Sequence, residues 1–254
     1  GKSVGDLAIE SKDDQYEVLR TLAQEGYEGV VTGHFEKEAE MYTSLYDPQN
    51  PRNWSTLCRP ELAEVDSFND IVMMAMAIGL KGTLHVAHVS TLSVADRVYE
   101  WANDPGYLST GLKLSCGVTP HHLLFDYTKL DNPETARWYK CNPPLRSLET
   151  RQGLLERVLD GRIPIIESDH APHTLDDKQK EVPYSGIVSG HAWAKLPGQL
   201  AELGMSPEQI SAVLHNNAVK LFDLSLPDER NINPEMLEKL MEHYPFDPFK
   251  GVLE

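Results

Sequence analysis

Four short apolar runs, rich in β-branched residues, are spread through the chain, and a stretch with helical spacing follows each. They are EGVVTGH at 28–34, TLHVAHVS at 83–90, STGLKLSCGVTP at 109–120 and IPIIESD at 163–169. The helical stretches lie at 66–82, 92–103, 148–161 and 206–224, with one more at 15–26 ahead of the first run. Asp66 or Ser67 is the expected N-cap of the 66–82 helix, and Gly161 closes the 148–161 helix. Ser206, with Pro207 and Glu208 behind it, opens the last helix. Strands that alternate with helices make βαβ units, and such units build a parallel sheet. The fold class is therefore α/β, and 254 residues suit one barrel-sized domain.

In each run the polar residues gather at the C-terminal end. Barrels and open parallel sheets build their sites on that face. His34 ends the first run, His88 the second and Asp169 the fourth. Imidazole nitrogen and carboxylate oxygen are common zinc donors. One histidine at a strand end is more often a hydrogen-bonded structural residue. Three donors in register, each at a strand's C-terminal end, point instead to a shared metal site.

The other candidates read as structural. His85 precedes His88 by three residues, so strand alternation turns it to the opposite face, under a helix. His170 points away from Asp169 for the same reason. His121 and His122 read as hydrogen-bonding residues, and Arg146 as either an anion contact or a loop-fixing ion pair. Met73, Met74 and Met76 read as core filling on a helix. Cys58, Cys116 and Cys141 form no CxxC pair, which fits reduced thiols and a cytoplasmic setting better than a disulfide framework.

Composition narrows the partners. With 23 Lys and Arg against 39 Asp and Glu, the formal charge is −16, which disfavours nucleic acid and anionic membranes. No apolar run reaches membrane-spanning length, and GKSVGDLAIE does not read as a signal peptide.

Four stretches then carry a resemblance. HVST at 88–91, GVTPHHL at 117–123, NPPLR at 142–146 and SDHAPH at 168–173 occur in that order in dihydroorotases of the amidohydrolase superfamily. The resemblance spans about residues 1–224 and implies a TIM barrel of the metal-dependent hydrolase type. Its implied activity is reversible interconversion of dihydroorotate and N-carbamoyl-aspartate, in pyrimidine biosynthesis, with one or two zinc ions in the parent enzyme. It implies His34 and His88 as metal ligands, and Asp169 as a ligand that also serves as general base and then general acid. Asn142 and His173 would hold the substrate's ring and carboxylate.

The sequence also departs from the family. It contains no HxH, whereas the family's first strand carries HxHxR. Lys2 lies too late to be the carboxylated lysine that bridges two metals. The chain thus resembles the second half of the barrel, strands five to eight, over 1–224, with 225–254 as a tail of short helix and loop. Four strands leave two open edges, so pairing is expected with an N-terminal half or a second copy. Little or no activity is expected of the chain by itself. Gly117 sits where the family often has an acid, HFEKE replaces the more usual HAED, and SGI lacks a following Pro. The alternatives are a hydantoinase or dihydropyrimidinase relative, and a non-catalytic scaffold of the kind found beside aspartate transcarbamoylase.

Overall fold

A computed structural model describes residues 8–226, 235, 239 and 244–253. Lys2 and most of the expected tail helix lie outside the described residues. Strands β1 (Val30–Gly33), β2 (Gly82–Val86), β3 (Leu112–Val118) and β4 (Ile165–Ile166) form one parallel sheet in the order β1-β2-β3-β4. Sequential neighbours with parallel register need crossovers, and helices supply them.

Helix α1 (Lys12–Gln24) precedes β1 and is capped by the Ser11 side chain. Helix α2 (Glu61–Ile78) links β1 to β2, and α3 (Leu92–Asn103) links β2 to β3. Helix α4 (Leu148–Leu159) leads into β4, with Ser147 as its cap. Gly161, just past α4, takes φ +84°, as the sequence leads one to expect of a closing glycine. After β4 the expected 206–224 helix is broken into Pro207–Ser211, a π-turn at Ala212–Asn216, and Asn217–Leu221. Ser206 and Gln209 form its capping box.

Two expectations fail here. Helix α2 starts at Glu61 behind Pro60, and neither Asp66 nor Ser67 caps it. The helix begins early because Ala63, Glu64, Ser67, Phe68, Val72 and Ala75 all lie on its buried face. Glu64 looks like solvent-facing charge in the sequence, yet it points inward. Met73 is the second miss: it is 57% exposed, while Met74 is buried.

The main core lies between the sheet and helices α2, α3 and α4, around Phe68, Leu84, Val98, Val118, Leu154 and Ile166. A smaller core lies under the 125–146 loop, where Phe125, Leu130, Tyr139 and Leu145 meet Phe249 and Leu253. The end of the chain is thus packed rather than loose, because two apolar side chains of 244–253 fill that core. Among the described residues no strand pairs with the outer edge of β1, and a groove of about 540 Å³ opens beside it.

Candidate active site at the strand ends

His34 follows β1 directly, His88 comes two residues after β2, and Asp169 three residues after β4. His34 Nδ1 lies 3.1 Å from His88 Nε2. The other ring nitrogen of His34 lies 2.6 Å from Glu36 Oε2, and Glu36 is fully buried. A carboxylate on the far nitrogen fixes the tautomer and aims the near one. Glu36 also pairs with buried Arg59, whose Nε donates to it at 3.1 Å. Burial alone would raise the Glu36 pKa, but the charges of Arg59 and His34 outweigh it and hold the carboxyl well below its usual range.

His88 sits at φ +42°, a left-handed conformation that a non-glycine residue holds only when its surroundings impose it. Four consecutive amides show how. The His88 N–H donates to Glu167 Oε1, and the Val89 N–H to the Gly117 carbonyl at 2.7 Å. The N–H groups of Ser90 and Thr91 donate to Glu64 at 3.1 and 3.3 Å, and both hydroxyls bond the same carboxylate. Arg146 Nε donates to Ser90 Oγ at 3.0 Å, and its Nη1 donates to the Arg59 carbonyl at 2.6 Å. Arg146 is therefore a loop-fixing residue that ties NPPLR to HVST. Burial raises the Glu64 pKa to about 7, against the opposing pull of Arg146 and Ser90. Burial likewise holds His88 well below the ordinary imidazole value, so its ring is neutral and carries a lone pair.

Asp169 also takes φ +42°. Burial, then the nearby charge of Glu167, raises its pKa to about 7. Its carboxylate lies 3.8 Å from His121 Nε2. His121 is fully buried, and neither ring nitrogen has a partner. His122 has both nitrogens engaged, with Thr119 Oγ1 at 2.8 Å and the Pro143 carbonyl at 3.1 Å. His121, His122 and Cys141 bring ligand atoms within 4.8 Å of one another. Both ring nitrogens of His122 are engaged, however, and burial pushes the Cys141 thiol up to about 12.

Asn142 joins Pro143 through a cis peptide, and its Oδ1 is buried with no partner. His173 Nε2 contacts the Ser185 carbonyl at 2.8 Å, leaving Nδ1 free of that contact. The Tyr244 hydroxyl accepts from the His173 N–H at 2.7 Å and donates to its carbonyl at 3.0 Å. His170 Nδ1 accepts from the N–H groups of Ser189 and Gly190, which pins that loop. His85 is buried against the Phe222 ring and lies 3.7 Å from Glu167 Oε2.

Sequence reasoning missed Glu64, Glu167 and Tyr244. Only Glu167 had a visible signal, an acid placed at a strand end beside a glycine on the next strand.

Three comparisons bear on this arrangement. No family model matches the chain. Solved structures of the L-hydantoinase from Arthrobacter aurescens and the dihydropyrimidinase from Brevibacillus agri superpose with TM-scores of 0.67 and 0.69, at 22% and 18% identity. They cover 87% and 86% of this chain but 49% and 48% of their own. The parallel sheet and its helices therefore share the fold of those proteins and form part of a TIM barrel. In sequence, the dihydroorotase of Halobacterium salinarum is 31% identical over 270 residues, 98% of this chain and 60% of its own length. The dihydroorotase of Fusobacterium nucleatum is 38% identical over 144 residues, 55% of this chain and 32% of its own length. The chain is a dihydroorotase-like C-terminal half of the amidohydrolase family, and it spans only part of the length of these relatives.

Proposed function

We propose that this chain supplies half of a zinc-dependent dihydroorotase site, with His34, His88 and Asp169 as its metal-binding donors. The observation that carries the reading is the converging pair of imidazoles at the ends of β1 and β2. Their 3.1 Å separation is a few tenths of an ångström short of the roughly 3.3 Å between two nitrogens on a tetrahedral zinc. A small ion therefore enters between them with little rearrangement. Glu36 backs one ring, and burial keeps the other neutral, which is the ligating form.

Bound zinc supplies a water acidic enough to attack at neutral pH and polarises the amide carbonyl. The chain's own residues do the rest. Asp169 accepts a proton from water and returns it to the departing ring nitrogen. The orphaned Asn142 Oδ1 is an acceptor for a ring N–H, and His173 is the residue assigned to the substrate carboxylate. The substrate's carboxylate is what separates this reading from dihydropyrimidinase chemistry. The open edge of β1 and its groove suit pairing with the other half of a barrel, which would complete the ligand set.

The test is zinc content per chain by elemental analysis on the purified protein, repeated on His88→Ala and Asp169→Asn. About one zinc per chain, lost in His88→Ala with the fold intact, supports the reading. A folded chain that takes up no zinc, or holds it equally well without His88, sinks it. Hydrolysis of dihydroorotate against dihydrouracil, measured with the barrel completed, separates the two substrate classes.

A further inference from the structure

Gly117 and Glu167 face each other at the ends of β3 and β4 as an empty place and its filler. A Cβ added at Gly117 would lie 2.6 Å from the carboxyl carbon of Glu167 and 3.1 Å from its Cγ. No real side chain tolerates that approach, so the Glu167 side chain occupies the space that a residue at 117 would otherwise take. From there its carboxylate reaches across β3 to the end of β2 and accepts the His88 N–H. The next amide, Val89 N–H, bonds the carbonyl of Gly117 itself at 2.7 Å. The left-handed His88 is thus gripped on both sides by the same pair of residues, one through its side chain and one through its backbone.

We propose that Glu167 is a positioning residue for His88, and that it can act only because position 117 carries no side chain. The proposal rests on the reading of His88 as a metal ligand only for its functional consequence. The mechanical link between Glu167, Gly117 and the 88–89 turn stands on the geometry alone.

The experiment is a cycle on the full chain with Glu167→Ala, Glu167→Gln, Gly117→Ala and the Gly117→Ala/Glu167→Ala double variant. Hydrogen exchange at the His88 and Val89 amides, thermal midpoint, and zinc affinity by competition with a chromophoric chelator are read on each. Glu167→Ala is expected to speed exchange at His88 at least tenfold while amides of α1 and α4 keep their rates. Its zinc affinity is expected to fall about tenfold. Glu167→Gln keeps an accepting oxygen and is expected to stay within about threefold of wild type on both readouts. Gly117→Ala forces the carboxylate away, so it reproduces the faster exchange and lowers the midpoint. The double variant regains the midpoint without regaining zinc affinity.

Unchanged exchange at His88 in Glu167→Ala overturns the proposal, as does strict additivity of the two substitutions in the midpoint. If Glu167→Ala does not fold, Gly117→Ala against Glu167→Gln asks the same question with the acid still present. Should wild type bind no zinc, the metal reading fails, while the exchange and midpoint measurements still decide the mechanical link.

Discussion

The ends of β2 and β4 carry the same backbone device and surround it differently. His88 and Asp169 both stand at φ +42°, just past a strand. Around His88, four successive amides are claimed by two carboxylates and a carbonyl, and Arg146 braces the turn from outside. Around Asp169, the carboxylate accepts no hydrogen bond among the described residues, and His121 approaches only to 3.8 Å. One side is fixed before any ligand arrives. The other keeps a carboxylate whose charge is disfavoured, ready to take a proton. Under the proposed reading, rigidity suits His88 as an ion-holding group and an unsatisfied environment suits Asp169 as a proton-exchanging one.

The largest effect is expected next to His88, at the buried pair that backs the His34 ring. Arg59→Ala leaves Glu36 as a fully buried carboxylate whose strongest countercharge is gone. Removing one member of such a pair is expected to cost about 3–5 kcal/mol, read as a drop in urea-unfolding stability. An unchanged midpoint would show that the fold does not depend on this pair.

Asp169→Asn sharpens the other side. The folded-state pKa of Asp169 is raised, from 3.8 to about 7. Its stabilising contribution is therefore present at low pH and is lost as pH rises from about 4 through 7. In the metal-free protein, the asparagine variant is expected to flatten that decline. At about 1.4 kcal/mol per pKa unit, halved because the side chain is about a third exposed, the gain at pH 8 is about 2 kcal/mol. Chemical denaturation at pH 5 and pH 8 checks it, and a gain of equal size at both pH values would contradict it.

Tyr244→Phe removes both hydrogen bonds to the His173 backbone and leaves the ring. The expected loss is about 1 kcal/mol, accompanied by faster exchange at the His173 amide. Arg52→Ala serves as the floor. Its ion pair with Asp131 is largely exposed, and its loss should shift stability by under about 1 kcal/mol.

The strands and the order of their polar endings were legible because periodicity and residue type point the same way there. His34, His88 and Asp169 needed only strand direction to be placed together on one face. Their supports were hidden for a physical reason. Glu64 lies in ELAEVDSF, where an acid on a helix reads as solvated, and only the tertiary fold delivers Ser90, Thr91 and Arg146 to it. Glu36 could be seen beside His34, but its partner Arg59 lies 23 residues on, beyond an irregular loop. Gly117 stood out as a missing acid, and what fills its place comes from the neighbouring strand. Buried polar networks are long-range by nature, so local sequence patterns do not encode them.

The clasp that Tyr244 makes on both backbone groups of His173 fixes an order in time as well as a position in space. Tyr244, and the Phe249 and Leu253 that seat its segment under the 125–146 loop, leave the ribosome after the four strands and that loop. Until they emerge, the loop bearing His173 lacks its latch and the smaller core lacks two of its side chains. A nascent chain can therefore set its imidazoles and the Asp169 turn before the 244–253 segment arrives to latch the loop bearing His173.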